Sequence, residues 1–236
     1  MPPTLLAIDT ATEICSVALA IGDQVIESGE TVGHGHSERL LPMVSDLLRT
    51  GGRQLADCDA IAFGAGPGAF TGLRVACAVA QGLAFGAGKP LVAIGNLAAL
   101  ASAASAAHPS ARRILVAIDA RMQEVYWALF LADGGAISEV EPPALAAASD
   151  LKALCDGADP DLVAGSALRA FPEQAGSLDR AVDADVRASA AAIARLAALG
   201  FARGAALPPE QAAPIYVRDR VAMTIDERRA ANAARR

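Results

Sequence analysis

Leu5-Leu6-Ala7-Ile8-Asp9 near the start of the chain and Ile114-Leu115-Val116-Ala117-Ile118-Asp119 near its middle are nearly the same phrase written twice. Each is an apolar run long enough for one buried strand, and each closes on an aspartate. Aligning the two Ala-Ile-Asp triplets gives an offset of 110 residues, which also lays Ala18-Leu19 on Ala128-Leu129 inside the next strand. Around the first copy, runs at 15–20 and 24–27, with Ile21-Gly22-Asp23 between them, predict a three-stranded meander. Around the second, the run 125–131 and the turn Asp133-Gly134-Gly135 repeat that order. The spacing predicts an internal duplication in an α/β fold. Its two βββαβα-type halves span residues 1–108 and 109–220, with Asp9 and Asp119 at equivalent strand ends. Residues 221–236 read as a polar, flexible tail.

Between the copies the period changes. Leu40, Leu41, Val44, Leu47 and Leu48 fall at helical spacing, so a helix is expected from Ser37 to the stop at Gly51-Gly52. A buried strand at 60–63, the turn Gly64-Ala65-Gly66-Pro67-Gly68, a helix over 70–85, a strand at 91–94 and a helix over 97–107 follow. Beyond the second copy the pattern is less regular. Helices are expected at 148–154 and 188–202, a strand at 162–165, and an extended piece at Pro214-Ile215-Tyr216-Val217.

Composition sets the class. With 53% hydrophobic and 19% charged residues, the 236-residue chain has ample material for a core and is not disordered. Aromatics are only 4% while 57 residues are Ala, so its helices must pack through small side chains. A net charge of -6 argues against nucleic acid held over a broad basic surface. Cys15, Cys58, Cys77 and Cys155 form no C-x-x-C pair, which predicts reduced thiols. The most membrane-like run, 73–87, is too short to span, carries Arg74 and Gln81, and reads as a buried helix. No basic segment followed by an apolar run opens the sequence, so a cytoplasmic setting is expected.

The motifs that could carry chemistry are incomplete. A phosphate turn after a strand-end aspartate needs Gly, so that backbone N–H groups can approach phosphate closely. Asp9-Thr10-Ala11-Thr12 has Ala11 there, and Asp119-Ala120-Arg121-Met122 has neither Gly nor a hydroxyl, which favours structural turns. The stretch from Gly64 to Gly72 leads from strand into helix, the geometry of an anion site. It lacks the Gly-Lys-Ser/Thr of a Walker loop, and Pro67 removes a donor, so close helix–sheet packing is the expected role. His34-Gly35-His36 has no third ligand near it in sequence, and no Gly-x-Ser-x-Gly elbow is present.

Taken in order, several segments resemble the bacterial TsaB (YeaZ) family. They are Ala7-Ile8-Asp9-Thr10-Ala11-Thr12-Glu13 with Cys15-Ser16-Val17-Ala18-Leu19, and His36-Ser37-Glu38-Arg39-Leu40-Leu41-Pro42-Met43-Val44. Gly66-Pro67-Gly68-Ala69-Phe70-Thr71-Gly72-Leu73-Arg74 is the most specific of them. Ile118-Asp119-Ala120-Arg121-Met122-Gln123-Glu124-Val125-Tyr126-Trp127 and Pro214-Ile215-Tyr216-Val217-Arg218 complete the set. The resemblance implies the duplicated actin/sugar-kinase/Hsp70 (ASKHA) fold. It also implies a non-catalytic scaffold and activator in making N6-threonylcarbamoyladenosine (t6A) in tRNA, without a cofactor or metal of its own. The implied partners are the catalytic paralogue TsaD and, with it, the ATPase TsaE; tRNA is met only through the complex, and the chain alone can form a homodimer. Where the paralogue carries a His-x-x-x-His metal pair, this chain has Asn96 and Leu100. Other classes remain as alternatives: a glycoprotease-like metallopeptidase, which needs ligands the sequence lacks, or a sugar-kinase-like phosphotransferase, which needs intact Gly-rich turns in both halves.

The first two helices carry a separate signal. The first has a Leu/Val stripe wide enough for two surfaces, and the second is small and apolar almost all round, so core and partner roles both stand. The expected partner interface comprises Leu40, Leu41, Val44 and Leu48 on the first, with Arg74, Ala76, Val79 and Leu83 on the second.

Overall fold

The computed structural model describes residues 2–33, 35–176 and 178–218. Strands β1 (Thr4–Asp9), β2 (Ile14–Ile21) and β3 (Gln24–Thr31) form the expected meander. Helix α1 (His36–Thr50), β4 (Ala60–Gly66), α2 (Phe70–Ala87), β5 (Leu91–Gly95) and α3 (Asn96–Ala107) follow. Gly88, at φ +64, closes α2 in the left-handed conformation that ends many helices. The first sheet has the order β3-β2-β1-β4-β5, antiparallel through β1 and parallel from β1 to β5.

The second half repeats it. Strands β6 (Arg113–Arg121), β7 (Glu124–Asp133) and β8 (Ala136–Ala147) lead to α4 (Leu151–Ala158) and β9 (Leu162–Ala164). Two short helices, α5 (Ala167–Ala170) and α6 (Pro172–Ala175), precede β10 (Ala181–Asp183) and α7 (Ala190–Ala202). The sheet order β8-β7-β6-β9-β10 is the first sheet's order with each strand replaced by its counterpart. The fold is therefore the expected duplicated α/β architecture, each βββαβα core extended by one strand and one helix. The tail at 221–236 lies outside the described residues.

The register of the duplication differs from the offset of 110 in one respect. Leu6 and Ile8 face the core beneath α1 and α2, whereas Leu5 and Ala7 face α7. In the second half Leu115 and Ala117 face α4, α5 and α6, the counterparts of α1 and α2, whereas Ile114 and Val116 face α3. Matching faces thus requires an odd offset between β1 and β6, because a slip of one residue turns every side chain over. The offset of 110 does keep faces for β2 and β7: Leu19 and Leu129 both lie on the outer cores. Asp9 and Asp119 accordingly sit at the same end of their strands but on opposite faces.

The last helix of each half crosses over. Helix α3 lays Leu97, Leu100, Ala101 and Ala104 on the second sheet, and α7 lays Ala190, Ile193, Ala194 and Ala197 on the first. From outside in, the layers are α1 and α2, the first sheet, then α7 and α3, the second sheet, and α4 to α6. After α7 the chain also returns to the first half. Leu207 pairs with Leu91, and the Ile215 N–H donates to the Ala65 carbonyl at 2.7 Å. Much of what the sequence groups with 109–220 is thus packed on the first sheet.

Candidate functional site

The carboxyl-terminal ends of β1, β4 and β5 converge on Asp9, which is 1% exposed. Its Oδ1 accepts from Asn96 Nδ2 at 2.9 Å and from the Ala11 N–H at 3.2 Å. Asn96 Oδ1 in turn accepts from the Gly66 N–H at 2.7 Å. Burial pushes the Asp9 carboxyl up from 3.8 to about 6, against the lowering effect of these hydrogen bonds. Among the described residues no cation pairs with it.

The turn beyond Asp9 is occupied by the protein itself. Thr10 Oγ1 donates to the Gly72 carbonyl at 2.7 Å, and the Ala69 N–H donates to the Ala11 carbonyl at 2.8 Å. A Cβ on Gly72 would collide with the Thr10 carbonyl, and one on Gly64 with the Asp9 carboxylate. Gly68 and Gly72 therefore let the start of α2 close over the β1–β2 turn, the packing role expected of this stretch, while Gly64 leaves room for the Asp9–Asn96 pair and Gly66 for the Ile215 carbonyl. Thr12 is likewise engaged, its carbonyl 2.7 Å from His36 Nε2.

In the second half, Asp119 is held within its own turn. Its Oδ1 accepts from the Arg121 N–H at 2.7 Å, and its Oδ2 pairs with the Arg121 guanidinium at 3.0 Å. Arg121, Met122 and Gln123 all have φ near +60, an unusual run for residues with side chains. Arg218 braces that turn by donating to the Ala120 carbonyl at 2.9 Å and to Glu124 Oε2 at 2.5 Å. An ion pair between Arg187 and Glu13 ties the two halves across the same side.

Metal and nucleophile chemistry find little to use. Asn96 is spent on Asp9 and Gly66, and Leu100, 2% exposed, is core. His108 pairs with Asp183 at 2.8 Å, and His34 lies outside the described residues. Among the described residues no three His, Cys, Asp or Glu side chains are placed to hold a metal. All four cysteines are free and buried, and burial pushes Cys15, Cys58 and Cys155 up to about 11.

The outer face of α1 and α2 is different. Leu41 is 49% exposed, and Phe70, Arg74, Ala78, Gly82 and Phe85 run exposed along α2. Of the residues expected at an interface, Leu41 and Arg74 are on this surface, and Leu48, Val79 and Leu83 are half-buried at its edge. Leu40, Val44 and Ala76 are instead core, at 0%, 3% and 0% exposure. They face the first sheet because an i, i+3, i+4 stripe must cover it, and they support the outer face from beneath. By length and composition α2 could cross a bilayer. It is not the wholly buried helix its sequence suggests: Leu73, Ala76, Cys77, Ala80 and Ala84 form its buried side.

Two sheets of one topology with exchanged last helices define the class, the duplicated fold of the actin, sugar-kinase and Hsp70 proteins. A ROK family glucokinase from Streptomyces griseus shares it with a TM-score of 0.50 at 9% identity, over 84% of this chain and 100% of that one. A closer likeness is YeaZ from Pseudomonas aeruginosa: TM-score 0.83, 41% identity, 91% of this chain and 99% of that chain. The Escherichia coli K12 protein named "tRNA threonylcarbamoyladenosine biosynthesis protein TsaB" is 38% identical over 224 residues, covering 92% of this chain and 96% of that protein. A family model described as "TsaD: tRNA N6-adenosine threonylcarbamoyltransferase" matches residues 29–225. The chain belongs to the TsaB (YeaZ) family.

Proposed function

We propose that this protein serves t6A formation in tRNA as a non-catalytic scaffold and activator. It pairs with TsaD and, with it, TsaE in the cytoplasm; it meets tRNA through that complex and needs no cofactor of its own. The observation that carries this reading is the contrast between the two surfaces. The end of β1, where a sugar kinase of this fold class would use its phosphate turn, is filled by the protein's own α2 start and by Asn96. The outer face of α2, together with Leu41 of α1, leaves exposed apolar and small side chains for another molecule. The same face is the natural one for a homodimer when TsaD is absent.

The family model's name raises the possibility that this chain is itself a transferase. Against that, the two positions matched to the paralogue's metal pair hold a carboxamide engaged at both ends and a buried leucine. Reconstitution tests the proposal: TsaD, TsaE, ATP, a preformed activated threonylcarbamoyl donor and tRNA, with and without this protein. Modification should rise on its addition, while the protein alone gives none. Equal modification with and without it, or turnover by the protein alone, refutes the role.

A further inference from the structure

We infer that Arg74, held between Phe70 and Tyr216, is a preformed receptor for a carboxylate on a partner helix lying along α2. The inference rests on the proposed pairing through the α1–α2 face and names the chemistry that face requires of its partner.

Arg74 is exposed yet fixed. Its guanidinium carbon lies 3.7 Å from the centroid of the Phe70 ring, and its Nε donates to the Tyr216 hydroxyl at 3.0 Å. The two rings are 5.6 Å apart, tilted at 39°. Tyr216 is brought there by the returning segment, which is anchored where Ile215 donates to Ala65. The plane of the fork and one of its donors are thereby set. Among the described residues the terminal nitrogens of Arg74 have no hydrogen-bond partner, and it joins no ion pair. Arg39, Arg49, Arg112, Arg121, Arg187 and Arg218 are paired with carboxylates. Among the described residues Arg53, Arg113, Arg195 and Arg203 join no ion pair either; what sets Arg74 apart is that it is held against a ring.

A fixed guanidinium with two free terminal nitrogens matches the two oxygens of a carboxylate, and little rotamer freedom remains to be lost on contact. The surroundings favour a protein over a nucleic acid. Arg74 is the one charged residue of α2, on a chain of net charge -6, whereas phosphodiester binding draws on several cations together. Below it, exposed Ala78 and Gly82 allow a second backbone to come close, and Phe85, 69% exposed, bounds the far end. From Arg74 to Phe85 the helix rises about 16 Å, so the occupant is a helix of roughly three turns with Asp or Glu at the Arg74 end.

The test measures association of the full-length protein with its TsaD subunit by calorimetry. Arg74→Ala should weaken binding roughly 30-fold, and Arg74→Lys nearly as much, because the charge remains but the fork is lost. Tyr216→Phe keeps both ring and charge and should cost about threefold through loss of the fixed orientation. Arg74→Glu should be rescued by one Asp/Glu→Arg change on the TsaD helix. Ala78→Glu places a charge in the close contact and serves as control for the face itself, with thermal melting confirming that each variant folds. If Ala78→Glu abolishes binding while Arg74→Ala binds as the unaltered protein does, the receptor is refuted and the face stands. If neither matters, the proposed pairing surface fails with it. If Arg74→Ala weakens only the binding of tRNA to the assembled complex, the ligand is a phosphate and the inference is overturned.

Discussion

Asp9→Asn should make this protein more stable at neutral pH and less stable in acid. Asp9 is buried without a cation, and its carboxyl is pushed from 3.8 to about 6. The native state therefore holds this proton more tightly than the unfolded chain does. Below about pH 4 both states are protonated and there is no penalty. Between 4 and 6 the unfolded chain gives up its proton first, so stability falls; above 6 both are ionised and the loss is constant. Carrying the difference between 3.8 and about 6 through the linkage relation gives a cost of about 3 kcal/mol at pH 8. Asparagine avoids that charge, and its Oδ1 can still accept from Asn96 and Ala11. Its amide group then meets the Thr10 N–H, which also supports the carboxylate, and this mismatch costs about 1 kcal/mol. The expected balance is a gain of about 2 kcal/mol at pH 8 and a loss of about 1 kcal/mol at pH 4. Urea unfolding of both proteins followed by circular dichroism from pH 4 to 8 measures the difference. Carboxylates shifted in the opposite direction, such as Asp161, affect both proteins equally and cancel. A difference that stays constant across this range would refute the burial account of Asp9.

Three further outcomes follow from the packing. Leu40→Ala should cost about 2–5 kcal/mol in unfolding, whereas Leu41→Asp should stay within about 0.5 kcal/mol and act on TsaD binding instead; paired melting and binding curves separate the two. Arg218→Ala should speed hydrogen exchange at the left-handed residues 121–123 and leave the β1–β2 hairpin unchanged, since Arg218 braces only the second turn. His108→Ala should lower the melting temperature at pH 6. The gap to the unaltered protein should close as the pH drops below 3.8, because the hydrogen bond from His108 holds Asp183 below its ordinary value and that contribution disappears once Asp183 is protonated. A gap that does not narrow however far the pH is taken below 3.8 would show that His108 acts by packing alone.

The elements from β1 to α3 were legible because their apolar runs alternate with clear turn and cap residues. What escaped the sequence is mostly direction. The Ala-Ile-Asp repeat locates two equivalent strand ends, but three matched letters cannot reveal a one-residue change in register, and Asp9 and Asp119 ended on opposite faces. The alanine-rich helices α3 and α7 offer no strong stripe, so nothing in their sequences says that each covers the other half's sheet. Strand β8 carries Glu139, Glu141, Pro142 and Pro143 along a largely exposed edge, which resembles a linker rather than a strand. Strand β10 has only three residues. The α1 stripe is wide, and spacing alone does not separate its inward positions, Leu40 and Val44, from its outward one, Leu41. Arg74 stands out in the sequence as the lone charge of α2, but its partner Tyr216 is 142 residues away and only folding joins them.

The exchange of α3 and α7 ties the two halves together. Here α3 begins at Asn96, hydrogen-bonded beneath Asp9 of the first half, and continues as the core of the second. Helix α7 makes the reverse crossing, and the segment after it runs along the first half before Arg218 grips the second. Separating the lobes would have to break the Asn96 bonds, the Arg187–Glu13 pair and the Arg218 contacts together, while uncovering apolar surface on both inner cores. The start of α2 is held separately, by Thr10 and Ala11 on Gly72 and Ala69, and Tyr216 by Ile215 on Ala65 and by Arg74. The exchanged helices belong to the whole fold class, kinases included, so what supports the proposed scaffold is the exposed face they hold up, not the exchange itself.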